Sequence, residues 1–337
     1  MTRVLWICVL AFLAACSDVM THDPVDEAVS TAKTTAHLTD GRTQDLFVFD
    51  AFETQARVDI LFVDDNSDSM RDEQLKLGAR FPHLLNSLAK IDWQIAITTT
   101  DVSDGTYGLK GQLIPFEGVS QNFLTRAMPN APQLFASHIA RAETYNCQTD
   151  CPSTDEQPLQ ATIEAIGKRD AGNAGFFRAD ADLVVVVLSD EDEKSEGGPG
   201  ATSGADVVAA VQAAFGDGKA LTGFGIIVVP GDTACMATET LFGGHYGHVL
   251  QAFAQLTGGE VGSICEADYG ATLAEIGRRV REGIKVAVLS ATPRDGTVDV
   301  QVEPQDLTLT WTLKDRTLTF AHPPLPGSTV TVRYVAQ

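Results

Sequence analysis

The sequence predicts an α/β fold, a doubly wound and mostly parallel sheet followed by a small antiparallel β module. Continuous apolar segments of strand length, such as residues 58–63 and 183–188, alternate with segments whose apolar residues recur at helical spacing. Such continuous strands are typical of parallel sheets that helices cover on both faces. A change to period two after about residue 285 predicts the antiparallel module. We expect a main domain over residues 51–285 and a β-rich module over 286–337.

The elements follow in order along the chain. Main-domain strands are predicted at residues 58–63, 93–98, 112–116, 183–188, 224–229 and 260–264. Main-domain helices are predicted at residues 77–88, 133–141, 156–168, 205–215, 246–256 and 269–284. The module strands are predicted around residues 298–302, 307–311, 318–320 and 330–334, between turns such as Asp295-Gly296 and Pro326-Gly327.

The first fifteen residues have the pattern of a signal peptide. Residues 1–15 carry one charged side chain, Arg3, followed by an apolar run and two alanines. The run is shorter than a membrane-spanning helix requires. The sequence Leu-Ala-Ala-Cys that ends at Cys16 resembles the bacterial lipobox, which implies cleavage before this cysteine and attachment of lipid to its thiol. Residues 16–50, rich in Thr, Asp and Ala, are predicted to be a flexible tether.

The lipobox resemblance implies a bacterial cell-envelope protein anchored by lipid alone. Ser17 stands where an inner-membrane retention signal would have an aspartate, so the outer membrane is favoured. The formal net charge is −21 and the sequence pI is about 4.5. Because nucleic-acid binding depends on neutralising phosphates with basic side chains, this charge disfavours a nucleic-acid partner.

Four cysteines would remain after signal removal and lipidation. An even number in an exported chain predicts two disulfides, although three pairings are open. The short separation of Cys147 and Cys151 favours a local bridge, which leaves Cys235 to pair with Cys265. A zinc site is the alternative, but the spacings lack the paired two-residue knuckles of zinc ribbons.

The first predicted strand ends in a polar loop with Asp65, Ser67 and Ser69 at alternate positions. In a parallel α/β sheet, the loops after the strands form the ligand crevice. A tight loop directs one carboxylate and two hydroxyls toward a common point, and these hard oxygen donors suit magnesium or calcium. The loop is therefore a candidate metal site.

Two other segments bring oxygen donors to the same end of the sheet. Asp190 follows the strand over residues 183–188, and Thr154, with Ser153 as the neighbouring alternative, precedes the helix predicted from residue 156. Alone, each segment is typical of an ordinary turn or a solvated acidic face. The conjunction of three such elements at strand and helix ends favours a binding site.

These residues resemble the metal-ion-dependent adhesion site of von Willebrand factor A domains, whose motif is Asp-x-Ser-x-Ser, a distant Thr and an Asp after a later strand. The resemblance covers roughly residues 55–285 and implies a von Willebrand factor A or Rossmann-like fold. It is strongest with the bacterial lipoprotein branch, in which a Gly-Ser-Ile-Cys run, here residues 262–265, precedes the last helix. The corresponding metal-site residues are Asp65, Ser67, Ser69, Thr154 and Asp190.

The resemblance implies a non-enzymatic binding protein that holds one divalent cation, Mg²⁺ first and Ca²⁺ or Mn²⁺ as alternatives. The partner would be a protein or surface polymer that offers a carboxylate to the cation. A metal-assisted hydrolase is the competing hypothesis, but no histidine adjoins the motif to act as a general base. A structural envelope protein, whose cation only braces the loops, is a further alternative.

The sequence departs from the family pattern at two positions. Asp68 and Glu191 stand where the family commonly has glycine, which implies stiffer or more acidic loops. Asp101, at the end of the second predicted strand, is either a supporting carboxylate or a turn former.

Overall fold

The computed structural model describes residues 32–37, 43–50, 57–88, 91–145, 147, 149–179, 181–216, 219–282, 286–289, 291–303, 309–321 and 329–337. The predicted signal peptide and Cys16 lie outside these residues. Among the helices of the described part, none combines the length and the apolar character that crossing a membrane requires.

The structure contains the predicted alternation of strands and helices. The strands are β1 (Ala32–His37), β2 (Thr43–Asp50), β3 (Arg57–Asp64), β4 (Asp92–Thr99), β5 (Leu124–Thr125), β6 (Asp182–Ser189), β7 (Leu221–Ile227), β8 (Val261–Ser263), β9 (Val286–Val288), β10 (Asp299–Glu303), β11 (Trp311–Lys314), β12 (Thr317–Phe320) and β13 (Thr329–Val335). The helices are α1 (Arg71–Ser87), α2 (Ala131–Ile139), α3 (Pro158–Gly167), α4 (Gly204–Phe215), α5 (Thr233–Glu239), α6 (His248–Leu256) and α7 (Gly270–Glu282).

Several elements differ from the sequence prediction, among them β5 and β9, which were not predicted, and β11, which begins at Trp311 where a strand over residues 307–311 was predicted. The strand predicted at residues 112–116 is wrong. This segment is a loop, in which Ile114 donates a backbone hydrogen bond to the carbonyl of Ile97 but no strand pairing is formed. The short helix α5 was not predicted, since its seven residues carry too few apolar positions to show a helical period.

The main sheet is doubly wound, as the sequence predicts. Its six strands lie in the order β5-β4-β3-β6-β7-β8, and all are parallel except β5, which pairs antiparallel with β4. Counted within this sheet, the order is 3-2-1-4-5-6, the order of the Rossmann-type doubly wound fold. The chain reverses direction across the sheet between β3 and β6, so the loops after these two strands meet at the topological switch point.

Helices cover both faces of this sheet, which explains why five of the eight residues of β3 are apolar and four of these are consecutive. Ile60 and Phe62 point into a core with α1, α2 and α7, whereas Leu61 and Val63 point into the opposite core with α3, α4 and α6. All four side chains are at most 1% exposed. The two cores hold the strand rigidly and so fix where its carboxyl end lies.

The C-terminal strands form a separate antiparallel module, as predicted. One sheet has the order β1-β2-β13-β10 and the other the order β11-β12-β9. Their facing side chains, among them Leu318, Phe320, Val332 and Tyr334, make one apolar cluster. Period two in the sequence thus corresponds to strands with one buried face.

The segment predicted as a tether also contributes to this module. Strands β1 and β2 lie within residues 16–50 and pair with each other, and β2 pairs along seven residues with β13. The prediction of a flexible tether therefore does not hold for residues 32–37 and 43–50. Their pairing depends on strand β13, a partner distant in sequence that a local reading of composition does not take into account.

Candidate functional site

The loop after β3 is folded around the side chain of Asp65. The backbone N–H of Asp65 donates a 2.9 Å hydrogen bond to the carbonyl of Leu188, which extends the β3–β6 pairing by one residue. Its carboxylate accepts a 2.8 Å hydrogen bond from the backbone N–H of Ser67. The Ser67 and Ser69 hydroxyls lie 3.0 Å apart. The structure therefore brings together the first three predicted site residues.

The loop after β6 brings Asp190 to the same place. The Ser189 hydroxyl donates to the second carboxylate oxygen of Asp65 at 2.7 Å and ties the two loops together. Asp190 is 1% exposed, and both of its carboxylate oxygens are buried without a hydrogen-bond partner. Since buried polar atoms are almost always paired, this carboxylate is one that a water or a cation would complete.

Burial and mutual repulsion dominate the electrostatics of this cluster. Burial raises the pKa of Asp65, although hydrogen bonds from Ser189 and Ser67 oppose the shift. Burial also raises the pKa of Asp190, and the negative charge of Asp65 raises it further. A serine hydroxyl, that of Ser69, opposes the shift at Asp190 as well, but at both carboxyl groups burial is the largest cause and the pKa is raised.

Thr154, the third predicted element, is exposed, whereas Asp65 and Asp190 are buried. It contacts the loop after β6 through its carbonyl oxygen, which accepts a 3.0 Å hydrogen bond from the Ser195 hydroxyl. The neighbouring Ser153 hydroxyl accepts from the backbone N–H of Asp155 at 3.0 Å. Two residues farther along, Glu156 is 1% exposed and its carboxyl group adjoins that of Glu191. Burial raises the pKa of Glu156, and so does the negative charge of Asp65.

Asp101 holds this third segment against the end of β4. Its two carboxylate oxygens accept backbone hydrogen bonds from Ser103 at 2.8 Å and from Ser153 at 2.9 Å. The backbone N–H of Gln157 donates to the carbonyl of Thr100 at 3.2 Å. Asp101 thus has both roles that the sequence left open, because one oxygen closes a local turn at Ser103 and the other supports the third segment at Ser153.

The acidic run after Asp190 is buried where a solvated face was the ordinary expectation. Asp192 accepts from the backbone N–H groups of Val249 and Leu250 at the start of α6. Glu193 accepts from Leu159 at 2.7 Å and from Gln160 at 3.3 Å at the start of α3. Burial raises the pKa of Glu193 to about 7. The loop after β6 therefore caps two helices and is held by both of them.

Gln74 on α1 is a further residue that the sequence analysis missed. Its amide nitrogen donates to the carboxylate of Asp64 and to the carbonyl of Asp65, both at 2.9 Å. Its amide oxygen accepts from the backbone N–H of Arg141 and from the hydroxyl of Thr144. A single glutamine within a helix gives no sequence signal for this role.

Both predicted disulfides are present. Cys147 pairs with Cys151, and Cys235 pairs with Cys265 across thirty residues. Glu239 lies beside the second bridge, and the three groups together have the spacing of a metal cluster. Because both sulfurs are committed to the disulfide, they are not thiolate ligands. This group is therefore not a metal site.

The residues around Asp65 fit a divalent cation. They offer carboxylate and hydroxyl oxygens, the donor types that magnesium, calcium and manganese prefer. The orphaned oxygens of Asp190 lie in the same cluster, and the negative charges of Asp65 and Asp190 act on each other there. Asp65, Ser67, Ser69 and Asp190 would hold such an ion.

Comparison of the sequence with protein-family models gave no match, and neither did comparison with curated proteins. Among solved structures, the pilus adhesin SpaC from Lactobacillus rhamnosus GG is similar at a TM-score of 0.39 and 10% identity, over 93% of this chain and 43% of SpaC. A von Willebrand factor type A protein from Catenulispora acidiphila is similar at a TM-score of 0.38 and 16% identity, over 87% of this chain and 61% of that one. This chain thus spans less than two thirds of either neighbour.

Two observations identify the fold of the main domain: the strand order of its sheet and the Asp-x-Ser-x-Ser loop directly after β3. The main domain has a von Willebrand factor A-like fold. An aerotolerance-related membrane protein from Bacteroides fragilis is also similar, at a TM-score of 0.34 and 11% identity, over 67% of this chain and 98% of that one. The von Willebrand factor A-like domain of this chain places its motif loop at the switch point of the sheet, where such folds bind ligands.

Proposed function

We propose that this protein is a binding protein whose von Willebrand factor A-like domain holds one divalent cation and binds a protein or surface-polymer partner through it. The observation that carries the proposal is the Asp190 carboxylate, buried with both oxygens unpaired beside Asp65. The ligands would be Asp65, Ser67, Ser69 and Asp190. Magnesium is the first candidate ion, with calcium and manganese as alternatives.

The cation would supply a local positive charge on a chain whose formal net charge is −21. A carboxylate on a partner would otherwise be repelled by this acidic surface. We propose binding rather than catalysis because the groups that act on Asp65 and Asp190 are hydroxyls and other carboxylates, which suit ion coordination. General acid–base catalysis would need a group poised to transfer a proton to a substrate.

Exposed apolar side chains beside the cluster support a binding role. Leu241 and Phe242 are 78% and 65% exposed, and they precede a turn whose residue His245 donates its backbone N–H to the carbonyl of Asp190. On the other side, Tyr145 is 58% exposed and packs on the guanidinium of Arg71, directly after the Asp65 loop. Exposed aromatic and aliphatic side chains of this kind are typical of protein contact surfaces.

We further propose that the protein is lipid-anchored through Cys16 in a bacterial envelope, with the outer membrane favoured. The support is the lipobox-like sequence that ends at this cysteine. Metabolic labelling with a palmitate analogue tests the anchor, and Cys16→Ser should abolish the label.

Calorimetry tests the cation proposal on the chain from residue 17 onward, which keeps every described residue. We expect one stoichiometric site for Mg²⁺, Ca²⁺ or Mn²⁺ in the wild type and its loss in the double variant Ser67→Ala and Ser69→Ala. Ser137→Ala, an exposed serine on α2, is the matched control and should bind like the wild type. A wild-type protein that binds none of the three ions would refute the proposal.

A further inference from the structure

Glu156 is a buried carboxylate that the adhesion-site motif does not contain. The residue is 1% exposed, and its Oε1 atom is buried without a hydrogen-bond partner. Its Oε2 atom accepts a 2.8 Å hydrogen bond from the Ser195 hydroxyl. Half of the carboxylate is therefore paired, and the other half is unpaired inside the protein. Such an arrangement is costly unless a further group binds the free oxygen.

The backbone on both sides of Glu156 is held in place. The next residue, Gln157, donates to the carbonyl of Thr100 at the end of β4. The N–H of Ser195 donates to the carbonyl of Glu156 at 3.4 Å. The loops after β4 and β6 therefore hold the backbone at this residue, and its burial does not depend on the freedom of an exposed loop.

The ordinary role for a glutamate at this position would be capping the following helix. Glu156 does not have that role, because the free N–H groups at the start of α3, those of Leu159 and Gln160, are bound by Glu193. The carboxyl group of Glu156 adjoins Glu191, and it lies within electrostatic reach of Asp65. A buried carboxylate placed among other carboxylates is stabilised either by taking up a proton or by binding an external cation.

We propose that Glu156, and not Thr154, is the third-loop ligand of the cation. The proposal rests on the cation site of the proposed function and changes the identity of its ligands. Three loops, after β3, before α3 and after β6, would each contribute a carboxylate, from Asp65, Glu156 and Asp190. The exposed Thr154 would have no contact with the ion.

The test measures cation binding by calorimetry for Glu156→Gln and Thr154→Ala beside the wild type. Glu156→Gln keeps the size of the side chain and removes its charge, so we expect affinity to fall by at least about tenfold, within the range over which ligand charge tunes calcium sites. Thr154→Ala should leave the dissociation constant unchanged. Glu164→Gln makes the same chemical change on α3 away from the cluster and is the matched control.

A second measurement separates a ligand from a structural residue. In chelator, Glu156→Gln should melt at or above the wild-type temperature, because one member of a repelling group becomes neutral. With cation added, the wild type should gain more in melting temperature than the variant. A structural role for Glu156 predicts the reverse, a lower melting temperature in chelator and an unchanged gain.

The outcomes distinguish this inference from the proposed function. Wild-type affinity in Glu156→Gln, or loss of binding in Thr154→Ala, would overturn the inference while the cation site itself stands. Absence of binding in the wild type overturns the proposed function as well. If Glu156→Gln does not fold, Glu156→Asp retracts the carboxylate by one methylene and carries the same test, with wild-type affinity as the overturning result.

Discussion

Removing the Cys235–Cys265 disulfide should destabilise the protein much more than removing Cys147–Cys151. The first bridge joins residues thirty apart, and the second joins residues four apart. In the loop-closure model, a cross-link stabilises by restricting the unfolded chain, and the effect grows with the logarithm of loop length. This gives about 3.6 kcal/mol for a thirty-residue separation and about 1.9 kcal/mol for a four-residue separation at 25 °C.

The longer bridge also has a structural position that the shorter one lacks. Cys235 is 3% exposed and belongs to the core on the α1 face, whereas Cys147 and Cys151 lie in a surface loop. The bridge attaches α5, and with it the turn beside Asp190, to the end of β8. Loss of packing at Cys235 would therefore add to the entropic cost.

Urea unfolding of two double variants, Cys235→Ala with Cys265→Ala and Cys147→Ala with Cys151→Ala, measures the difference. Unfolding of the wild type in reductant is the control for side-chain changes, because it opens both bridges without removing atoms from the core. Equal free energies of unfolding for the two double variants would show that the reasoning from loop length and burial is wrong.

Four other predictions follow from single residues. Asp192→Ala should lower the free energy of unfolding by about 3 kcal/mol in urea, because buried N–H groups at the start of α6 lose their charged acceptor. Phe135→Ala should cost about 3–5 kcal/mol by the same assay, since its ring packs against Phe62 and Phe81 with centroids 4.8 and 3.7 Å away. Gln74→Leu should weaken cation binding in calorimetry, because the amide that positions Asp65 is lost. In chelator, the free energy of unfolding of the wild type should fall as pH rises from about 4.5 to about 7. The reason is that Glu193 keeps its proton in the folded state over this range, whereas the unfolded state releases it. Glu193→Gln should remove on the order of 3 kcal/mol of this fall.

The fold was predictable because its signals are local and strong. The continuous apolar run of β3 indicates burial on both faces, which a parallel sheet between two helical layers provides. Asp65, Ser67 and Ser69 follow that strand directly, so their position in space follows from their position in sequence. Asp190 was predictable for the same reason at the end of β6.

The third loop was not predictable in the same way. No strand directly precedes Thr154 or Glu156, and their positions depend on Asp101 at the end of β4 and on Ser195 after β6, both distant in sequence. A two-step shift of register along this loop, from Thr154 to Glu156, exchanges an exposed hydroxyl for a buried carboxylate. Composition cannot detect such a shift, because threonine, aspartate and glutamate are all ordinary at the start of a helix.

Strand β2 pairs with β13, which lies at the far end of the sequence. The α/β domain lies between these strands in sequence, so it can fold before the module is complete. Until residues 329–335 are available, β2 has one unpaired edge. An exposed strand edge is a site for pairing with other chains, and premature termination before β13 would therefore leave a folded domain attached to an aggregation-prone hairpin.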